Sequence, residues 1–398
     1  MSEYKENFNF IDLAAQQANI REKINQRISN VLDHGAYIMG PEVKCFEENL
    51  REYLNIEHAF TCANGTDALT IALMALEIKA NDVVMVPSFT YVATAETVAQ
   101  LGAVPYFIDV DKKTFNVCPE SFENSIKSVE SSGNRVACFI GVDLFGMQFN
   151  HRLFSDICKK YNIKMIVDAA QSFGSELDGS RIGSIGDITT TSFFPAKPLG
   201  CYGDGGALFT KCDLLAEKIN SIRLHGKGSH KYQHINIGIN SRLDTLQAAI
   251  LIEKLAIFPD EIQKRMKIAE YYNKKLKDHF KCPELPINSI SSWAQYTLQM
   301  DNRDQIKESL NSKNIPTVVY YPMPLHKQIA YQECWRDPNG LKNSEKLPEK
   351  VLSLPMHPYL TETSQNIICD ALIEAKKQID WKEKLLIFQP LILQMIQE

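Results

Sequence analysis

The chain of 398 residues lacks paired-cysteine motifs and a surplus of basic side chains. None of its ten cysteines forms a C-x-x-C pair, so the sequence shows no zinc-ribbon or thioredoxin-type motif and predicts no metal site. The cysteines are too few for a disulfide scaffold, so we expect reduced thiols and a cytoplasmic protein. Lys plus Arg number 43 and Asp plus Glu 48, for a net charge of −5, which speaks against a nucleic-acid partner.

The sequence also predicts no secretory signal and no membrane span. The first residues, MSEYKENFNFIDLAAQQ, contain no basic stretch followed by an apolar run. The longest apolar stretch, LLIFQPLILQMI at 385–396, is too short to cross a bilayer and contains Pro390. We interpret it as a helix that covers an interface or the core, with binding to a membrane surface as the alternative.

Short apolar runs alternate with helical stretches up to about residue 255. The strand-like runs lie at 83–89, 104–110, 136–146, 164–172, 188–195 and 205–210. Apolar strands that alternate with helices predict a mainly parallel sheet covered on both faces. Thereafter a charged helix at 261–280, strands at 295–300 and 317–322, and a helix near 364–378 predict a smaller α+β unit. We therefore expect two domains, 1–255 and 256–398.

Two charged residues follow predicted strands, where functional groups of α/β sheets gather. Asp168 comes directly after the apolar run MIV, and a carboxylate there is costly unless it has a partner. A helix cap or a structural ion pair is the alternative interpretation. Lys197 follows ITTTSFF among apolar residues, a setting that lowers the pKa of an amine and makes it nucleophilic. An ordinary solvated loop lysine is the alternative.

Three further segments are candidates for binding. ANGTDAL (63–69) opens a helix, whose first N–H groups and dipole favour an anion, although plain capping by Asn64 or Thr66 also explains it. GCYGDGG (200–206) fits no dinucleotide or Walker spacing. INSRLDTLQAAIL (239–251) places Asn240 and Arg242 before an amphipathic helix, which is also what an ordinary capped helix shows.

Together these residues suit pyridoxal phosphate. This cofactor requires a lysine, an anion cradle, a carboxylate at the pyridine nitrogen and a flat group against the ring. Lys197, the helix start at 64–68 with Ser192, Asp168 and Tyr91 can supply all four.

The motifs then show a specific resemblance. CANGTDAL, PSFTYVATAETV, VDAAQSFG, TSFFPAKPLGCYGDGGAL, GINSRLDTLQAAIL and LSLPMHP occur in the order found in the DegT/DnrJ/EryC1/StrS family of nucleotide-sugar aminotransferases. The resemblance spans residues 8 to 378. It implies the fold type I of pyridoxal-phosphate transferases, similar to aspartate aminotransferase, with a mainly parallel seven-stranded sheet in the large domain. FIDLAAQQANI and HGAYIMGPEV resemble in particular the branch that aminates UDP-2-acetamido-2-deoxy-3-oxo-glucuronate for surface polysaccharide such as O-antigen.

The resemblance also implies roles for individual residues. Lys197 would form the Schiff base and move the proton, and Asp168 would pair with the pyridine nitrogen. The other cofactor positions are Gly65, Thr66, Tyr91, Gln171, Ser192 and Asn240, the last reaching the phosphate of a second subunit in a homodimer. The sugar-nucleotide positions are Gly35, Tyr37, Ala196, Arg242, Tyr320 and Tyr321. L-glutamate would be the amino donor, and Arg242 would bind a carboxylate bidentately.

Two positions depart from the closest branch and leave the sugar open. Ala196 stands where that branch has serine, and Tyr320 stands where it can have histidine. The alternative substrate is another keto-sugar nucleotide, such as a 6-deoxy 3- or 4-keto sugar. A sugar dehydratase of the same fold would carry histidine in place of Lys197. A cofactor-binding regulator without catalysis is a further alternative, although the chain has no helix-turn-helix appendage or basic patch. The segment 380–398 has no counterpart that we can place in the family.

Overall fold

The computed structural model describes residues 8–230 and 232–397, except for the side chains of 383–397, and these residues form thirteen strands and eleven α-helices. The strands are β1 (His58–Cys62), β2 (Val83–Pro87), β3 (Val104–Ile108), β4 (Val136–Val142), β5 (Lys164–Asp168), β6 (Glu176–Leu177), β7 (Ser180–Arg181), β8 (Ile188–Ser192), β9 (Gly206–Thr210), β10 (Ser289–Ile290), β11 (Tyr296–Gln299), β12 (Trp335–Arg336) and β13 (Val351–Leu354). The helices are α1 (Leu13–His34), α2 (Pro41–Leu54), α3 (Gly65–Ala75), α4 (Ala93–Gln100), α5 (Pro119–Ser131), α6 (His151–Lys160), α7 (Asp213–Ile222), α8 (Thr245–Leu276), α9 (Arg303–Ser312), α10 (Lys342–Lys350) and α11 (Glu362–Gln397).

Eight strands form the main sheet, in the order β1-β9-β8-β5-β4-β2-β3-β12. Strand β9 runs antiparallel to β1 and β8, and the other neighbouring pairs are parallel. The expected mainly parallel sheet is thus present, and the two-residue β12 adds an eighth strand at its edge. All the parallel strands therefore point their carboxyl ends toward one edge of the sheet.

The sheet is buried on both faces, as its apolar runs predict. Val84 and Val86 of β2 pack into the cluster formed with α3 and α4, while Val83 and Met85 pack into the one that contains Phe122 of α5. A separate apolar cluster joins the second half of α8 to β11, β13, α9 and α11. Strands β11 and β13 pair antiparallel beside those helices. This is the expected smaller α+β unit.

Two details differ from the sequence-based expectations. The strand predicted at 317–322 is wrong: Val318 makes a single bridge with Ser353, because the flanking Pro316 and Pro322 have no N–H to extend a ladder. The two helices expected around residues 243–280 are one helix, α8, which includes Pro259. The expected domain boundary at 255/256 falls within this helix.

At the C-terminal end, α11 continues through the apolar stretch at 385–396. The interpretation of that stretch as a cover for an interface, the core or a membrane surface concerns side chains outside the described part of the chain. No helix among the described residues is long and apolar enough to span a bilayer.

Candidate active site

The carboxyl ends of β1, β5 and β8 bring several predicted residues together. Asp168 ends β5 and pairs with Thr190 of β8, and Ser192 ends β8. Gly65 begins α3 just after β1, and a Cβ on Gly65 would lie only 2.7 Å from Cβ of Ser192. A glycine is therefore required where α3 approaches β8, and the first turn of α3 lies against the end of that strand.

Asp168 is a buried carboxylate, 8% exposed. One of its oxygens accepts a hydrogen bond of 3.0 Å from the backbone N–H of Ala170, which is a local turn and not a helix cap. Burial raises the pKa of Asp168, while the Ala170 bond and the positive charge of Lys197 act in the opposite direction. The charge of Asp143 adds to the increase. An acid in this setting is stabilised by a cation placed beside it.

Lys197 lies in a loop that returns on itself. The backbone N–H of Cys201 donates to the carbonyl of Phe193, and that of Lys197 donates to Phe194, both at 2.8 Å. The lysine is partly exposed, and the surrounding protein lowers the pKa of its amine, against the attraction of Asp168. A lowered pKa increases the fraction of neutral, nucleophilic amine, as the apolar sequence around Lys197 predicts.

The start of α3 is built to present free amides. Oδ1 of Asn64 accepts from the N–H of Asp67 at 2.7 Å, and the first bond within the helix runs from Ala68 to the carbonyl of Asn64. The amides of Gly65 and Thr66 precede that bond and lie next to Ser192. Amides at a helix start and an adjacent hydroxyl form a cradle for a phosphate.

Gln171 and Tyr321 are linked side by side. Nε2 of Gln171 donates to the hydroxyl of Tyr321 at 3.1 Å, while Oε1 accepts from the backbone N–H of Phe145 at 2.8 Å. Burial raises the pKa of Tyr321, with the Gln171 bond acting in the opposite direction. The amide of Gln171 is thus held in one orientation. Tyr91, in the turn after β2, is 55% exposed and is accessible to a planar ligand.

Of the six predicted sugar-nucleotide residues, Gly35 and Tyr37 are exposed and the other four are partly buried. Gly35 ends α1 with φ of 68°, and Tyr37 follows, 49% exposed, with its carbonyl accepting from the N–H of Thr245 at 3.0 Å. Arg242 donates to Oδ1 of the exposed Asn240. Oγ of Ser241 accepts from the N–H of Ala63 at 3.0 Å, which places this segment beside the start of α3.

Two further predicted residues flank the site. Ala196 is partly buried next to Lys197, and Tyr320 is partly buried next to Tyr321. The ring of Tyr320 packs on Phe10, with centroids 6.3 Å apart. The N-terminal residues before α1 therefore contact the segment that carries the two tyrosines.

Sequence reasoning missed Asp143, which supports the acid. Its backbone N–H donates to the carbonyl of Asp168 at 3.0 Å. Its fully buried carboxylate accepts from His151 and from Ser172, each at 2.8 Å. Asp143 comes directly after β4 and Asp168 is the last residue of β5, so the same strand-end pattern could have identified it.

This set of groups fits pyridoxal phosphate: an amine of lowered pKa, a buried acid, a helix-start anion cradle and an exposed aromatic ring. The close contact of Gly65 with Ser192, which leaves no space for a Cβ, is what a phosphate cradle made of backbone amides requires. Among the described side chains, no group of three or more His, Cys, Asp or Glu residues could hold a metal ion.

Residues 18–373 match the model of the DegT/DnrJ/EryC1/StrS aminotransferase family. The chain belongs to this family. It is 48% identical over 364 residues to the UDP-2-acetamido-2-deoxy-3-oxo-D-glucuronate aminotransferase of Pseudomonas aeruginosa, covering 91% of this chain and 99% of that one. It is 37% identical to the dTDP-3-amino-3,6-dideoxy-alpha-D-galactopyranose transaminase of Aneurinibacillus thermoaerophilus, covering 91% and 98%. The crystal structure of a DegT/DnrJ/EryC1/StrS aminotransferase from Brucella abortus superposes with a TM-score of 0.91 at 49% identity, covering 92% and 98%.

The expectations of fold, activity and cofactor are thereby confirmed. This aminotransferase has the type I fold of pyridoxal-phosphate enzymes, and its reaction is the transamination of a sugar nucleotide with pyridoxal phosphate as cofactor. The alternative of a regulator without catalysis is not needed to explain the site, and the presence of Lys197 speaks against the dehydratase.

Proposed function

We propose that the enzyme transfers an amino group from L-glutamate to C3 of UDP-2-acetamido-2-deoxy-3-oxo-D-glucuronate, in the cytoplasm, as a step toward a surface polysaccharide. The observation that carries the chemistry is the placement of Lys197 beside the buried Asp168 at the sheet edge. The sugar is supported by the 48% identity to the Pseudomonas relative. Ten unpaired thiols suit a reducing compartment.

Lys197 is the proton carrier in this proposal. When bound, pyridoxal phosphate holds the amino group between the two substrates and withdraws electrons from the carbon that loses a proton. The amine of Lys197 has a lowered pKa, so it is able to take that proton as a base and return it as an acid in both half-reactions. Asp168 keeps the ring nitrogen protonated, and its burial excludes water that would weaken the attraction.

The phosphate and the ring are held by separate parts of the chain. Gly65, Thr66 and Ser192 would bind the phosphate, while Gln171, fixed by Phe145, would donate to the ring hydroxyl. Tyr91 would stack on the ring. Gly65 and Ser192 are fixed by their close contact at the start of α3 and the end of β8, and Gln171 is fixed by its bond to the backbone of Phe145.

We assign Arg242 to the C6 carboxylate of the sugar. Arg242 lies in the segment that the hydrogen bond between Ser241 and Ala63 holds beside the start of α3. A guanidinium can bind a carboxylate bidentately, which the ammonium of a lysine cannot do. Gly35 and Tyr37 lie near it through the contact of Tyr37 with Thr245. Tyr320 and Tyr321 supply hydroxyls, and Ala196 leaves space beside Lys197.

The exposed apolar residues that precede Asn240 support a homodimer in which each active site contains residues of both subunits. Ile235 and Ile237 are 61% and 85% exposed on the same segment. Apolar side chains so exposed favour a protein interface, and a second copy of the chain would cover them while Asn240 reaches the partner's phosphate.

A direct comparison of substrates tests the sugar. Purified enzyme is incubated with glutamate and either the 3-keto uronate, its 6-hydroxymethyl analogue or a 6-deoxy 3-keto sugar nucleotide, and the aminated product is measured by mass spectrometry. We expect the uronate to have the highest kcat/KM. Preference for an uncharged sugar would favour the alternative keto-sugar substrate, with the aminotransferase chemistry unchanged.

A further inference from the structure

Two segments that each carry a predicted ligand-facing tyrosine cross next to the site. One is the turn 88–91 after β2, which ends at Tyr91. The other is 321–326, which begins at Tyr321. The N–H of Leu325 donates to the carbonyl of Ser88 at 2.8 Å, and the rings of Phe89 and Tyr321 meet edge to face with centroids 6.0 Å apart.

Hydrogen bonds between side chains join the same two segments and continue to α10, where Glu345 is exposed. Oγ of Ser88 lies 2.6 Å from Nδ1 of His326, and Nε2 of His326 lies 3.2 Å from Oε1 of Glu345 on α10. Ser88 is fully buried and His326 is 2% exposed. A carboxylate can only accept, so Nε2 carries the hydrogen, and Nδ1 accepts from the hydroxyl of Ser88 in the neutral imidazole.

Ser88, His326 and Glu345 resemble a nucleophilic triad. They do not act as one, because Ser88 has no exposed surface for a substrate. Because the bond between Ser88 and His326 connects the two segments, it can fix the position of one segment relative to the other. We propose that His326 is a positioning residue: through Ser88 it holds the segment of Tyr321 at a fixed distance from the turn of Tyr91, with Glu345 fixing its tautomer. The proposal rests on the function proposed above for those two tyrosines.

Matched substitutions at residue 326 separate the two hydrogen bonds. The amide of asparagine reaches the position of Nδ1, and that of glutamine reaches the position of Nε2. Of the two side-chain hydrogen bonds, His326→Asn therefore retains the acceptor for Ser88 and His326→Gln retains the contact with Glu345, while the backbone N–H of residue 326 remains 3.4 Å from Oγ of Ser88 in both. Each half-reaction is followed by single-turnover absorbance, with whichever keto-sugar nucleotide the wild-type enzyme accepts, so that an incorrect sugar assignment does not affect the comparison.

We expect His326→Gln and Ser88→Ala each to lower kcat/KM for the sugar about fivefold, the effect of one lost hydrogen bond. We expect the glutamate half-reaction to change less than twofold, and His326→Asn to stay within twofold of wild type in both. The double variant Ser88→Ala/His326→Gln should be no worse than Ser88→Ala alone. Titration of apoenzyme with cofactor should show the same order, with weaker binding in His326→Gln than in His326→Asn.

Several outcomes would overturn the proposal. One is an equal loss of kcat/KM for the sugar in His326→Asn and His326→Gln, and another is an additive loss in the double variant. A third is an equal fall in the rates of both half-reactions, because a general loss of folded enzyme would produce that result. If the His326 variants do not fold, Ser88→Ala alone decides, since it removes one hydroxyl, and an equal fall in both half-reactions there is again the negative result. Tyr321→Phe serves as the separate control. If it has no effect on the sugar half-reaction, the proposed function of Tyr321 is wrong, and this result is distinct from a failure of the positioning by His326 and Ser88.

Discussion

The groups around Lys197 and the groups around Arg242 are supported by different kinds of structure. Asp168 is buried at the end of a central strand, and Ser192 and Gly65 touch where a strand and a helix meet. Arg242 and Asn240, in contrast, lie on a partly exposed segment and contact each other. In the proposed assignment, the chemistry therefore depends on the rigid sheet and the choice of sugar depends on loops, which tolerate sequence change better.

The largest expected effect comes from the sheet side. Lys197→Ala removes the base that moves the proton, so we expect activity to fall by at least about ten-thousandfold. Lys197→Arg is the matched control, because it keeps the positive charge on a long side chain but has no neutral form near pH 7, and it should be equally inactive. Borohydride treatment of wild type should abolish the visible band and add mass to the peptide that carries Lys197. Near-normal transamination by Lys197→Ala would contradict the assignment.

Asp168→Asn should have the next largest effect, a loss of roughly a thousandfold in kcat, because the protonated ring nitrogen loses its counter-ion in a buried site. Steady-state kinetics of the cofactor-saturated enzyme measure it. Retention of more than about a tenth of the activity would show that Asp168 is structural.

Stability of the apoenzyme supplies the control for that variant. Burial raises the pKa of Asp168 in the folded chain above its ordinary value of 3.8. Its contribution to stability is therefore fully present below the unfolded pKa and is lost as pH rises through the folded pKa. Asn cannot ionise, so apo Asp168→Asn should melt at or above the wild-type temperature at pH 7, with the difference decreasing toward pH 4. A lower melting temperature at pH 7 would instead attribute the lost activity to unfolding.

The same contrast explains what the sequence could predict. The apolar strands and the polar residues at their ends, Asp168 and Ser192, could be located because a parallel sheet brings its strand ends to one edge. The link from Gln171 to Phe145 could not be predicted, since it joins a side chain to a backbone amide 26 residues away. The continuous α8 was missed because the pattern of the sequence changes near residue 255, although the helix packs into an apolar cluster on each side of that point.

On the loop side, Arg242→Ala should lower kcat/KM for the uronate by roughly 10- to 100-fold, the cost of about 1.5–3 kcal/mol for a lost bond to a charged group. An uncharged analogue should be affected much less. Arg242→Lys keeps the charge without the bidentate geometry, so its kcat/KM for the uronate should lie between those of the wild type and Arg242→Ala. Equal losses for uronate and glutamate would show that one arginine binds both carboxylates in turn, and an unchanged uronate half-reaction would remove Arg242 from the sugar site.

The smallest expected effect tests whether a second copy of the chain covers the segment of Asn240 and Ile237. Ile237→Asp places a charge at a side chain that is 85% exposed in the single chain. If that side chain is covered in a dimer, the buried charge should shift the enzyme toward monomers in light scattering and weaken cofactor binding about tenfold, because Asn240 would lose the phosphate of the neighbouring subunit. Ile287→Asp is the matched control, since Ile287 is 87% exposed and lies outside the segment of Asn240, and it should remain a dimer with normal cofactor affinity. A fully active monomer of either variant would show that each chain holds its cofactor alone and that Asn240 has no role across the interface.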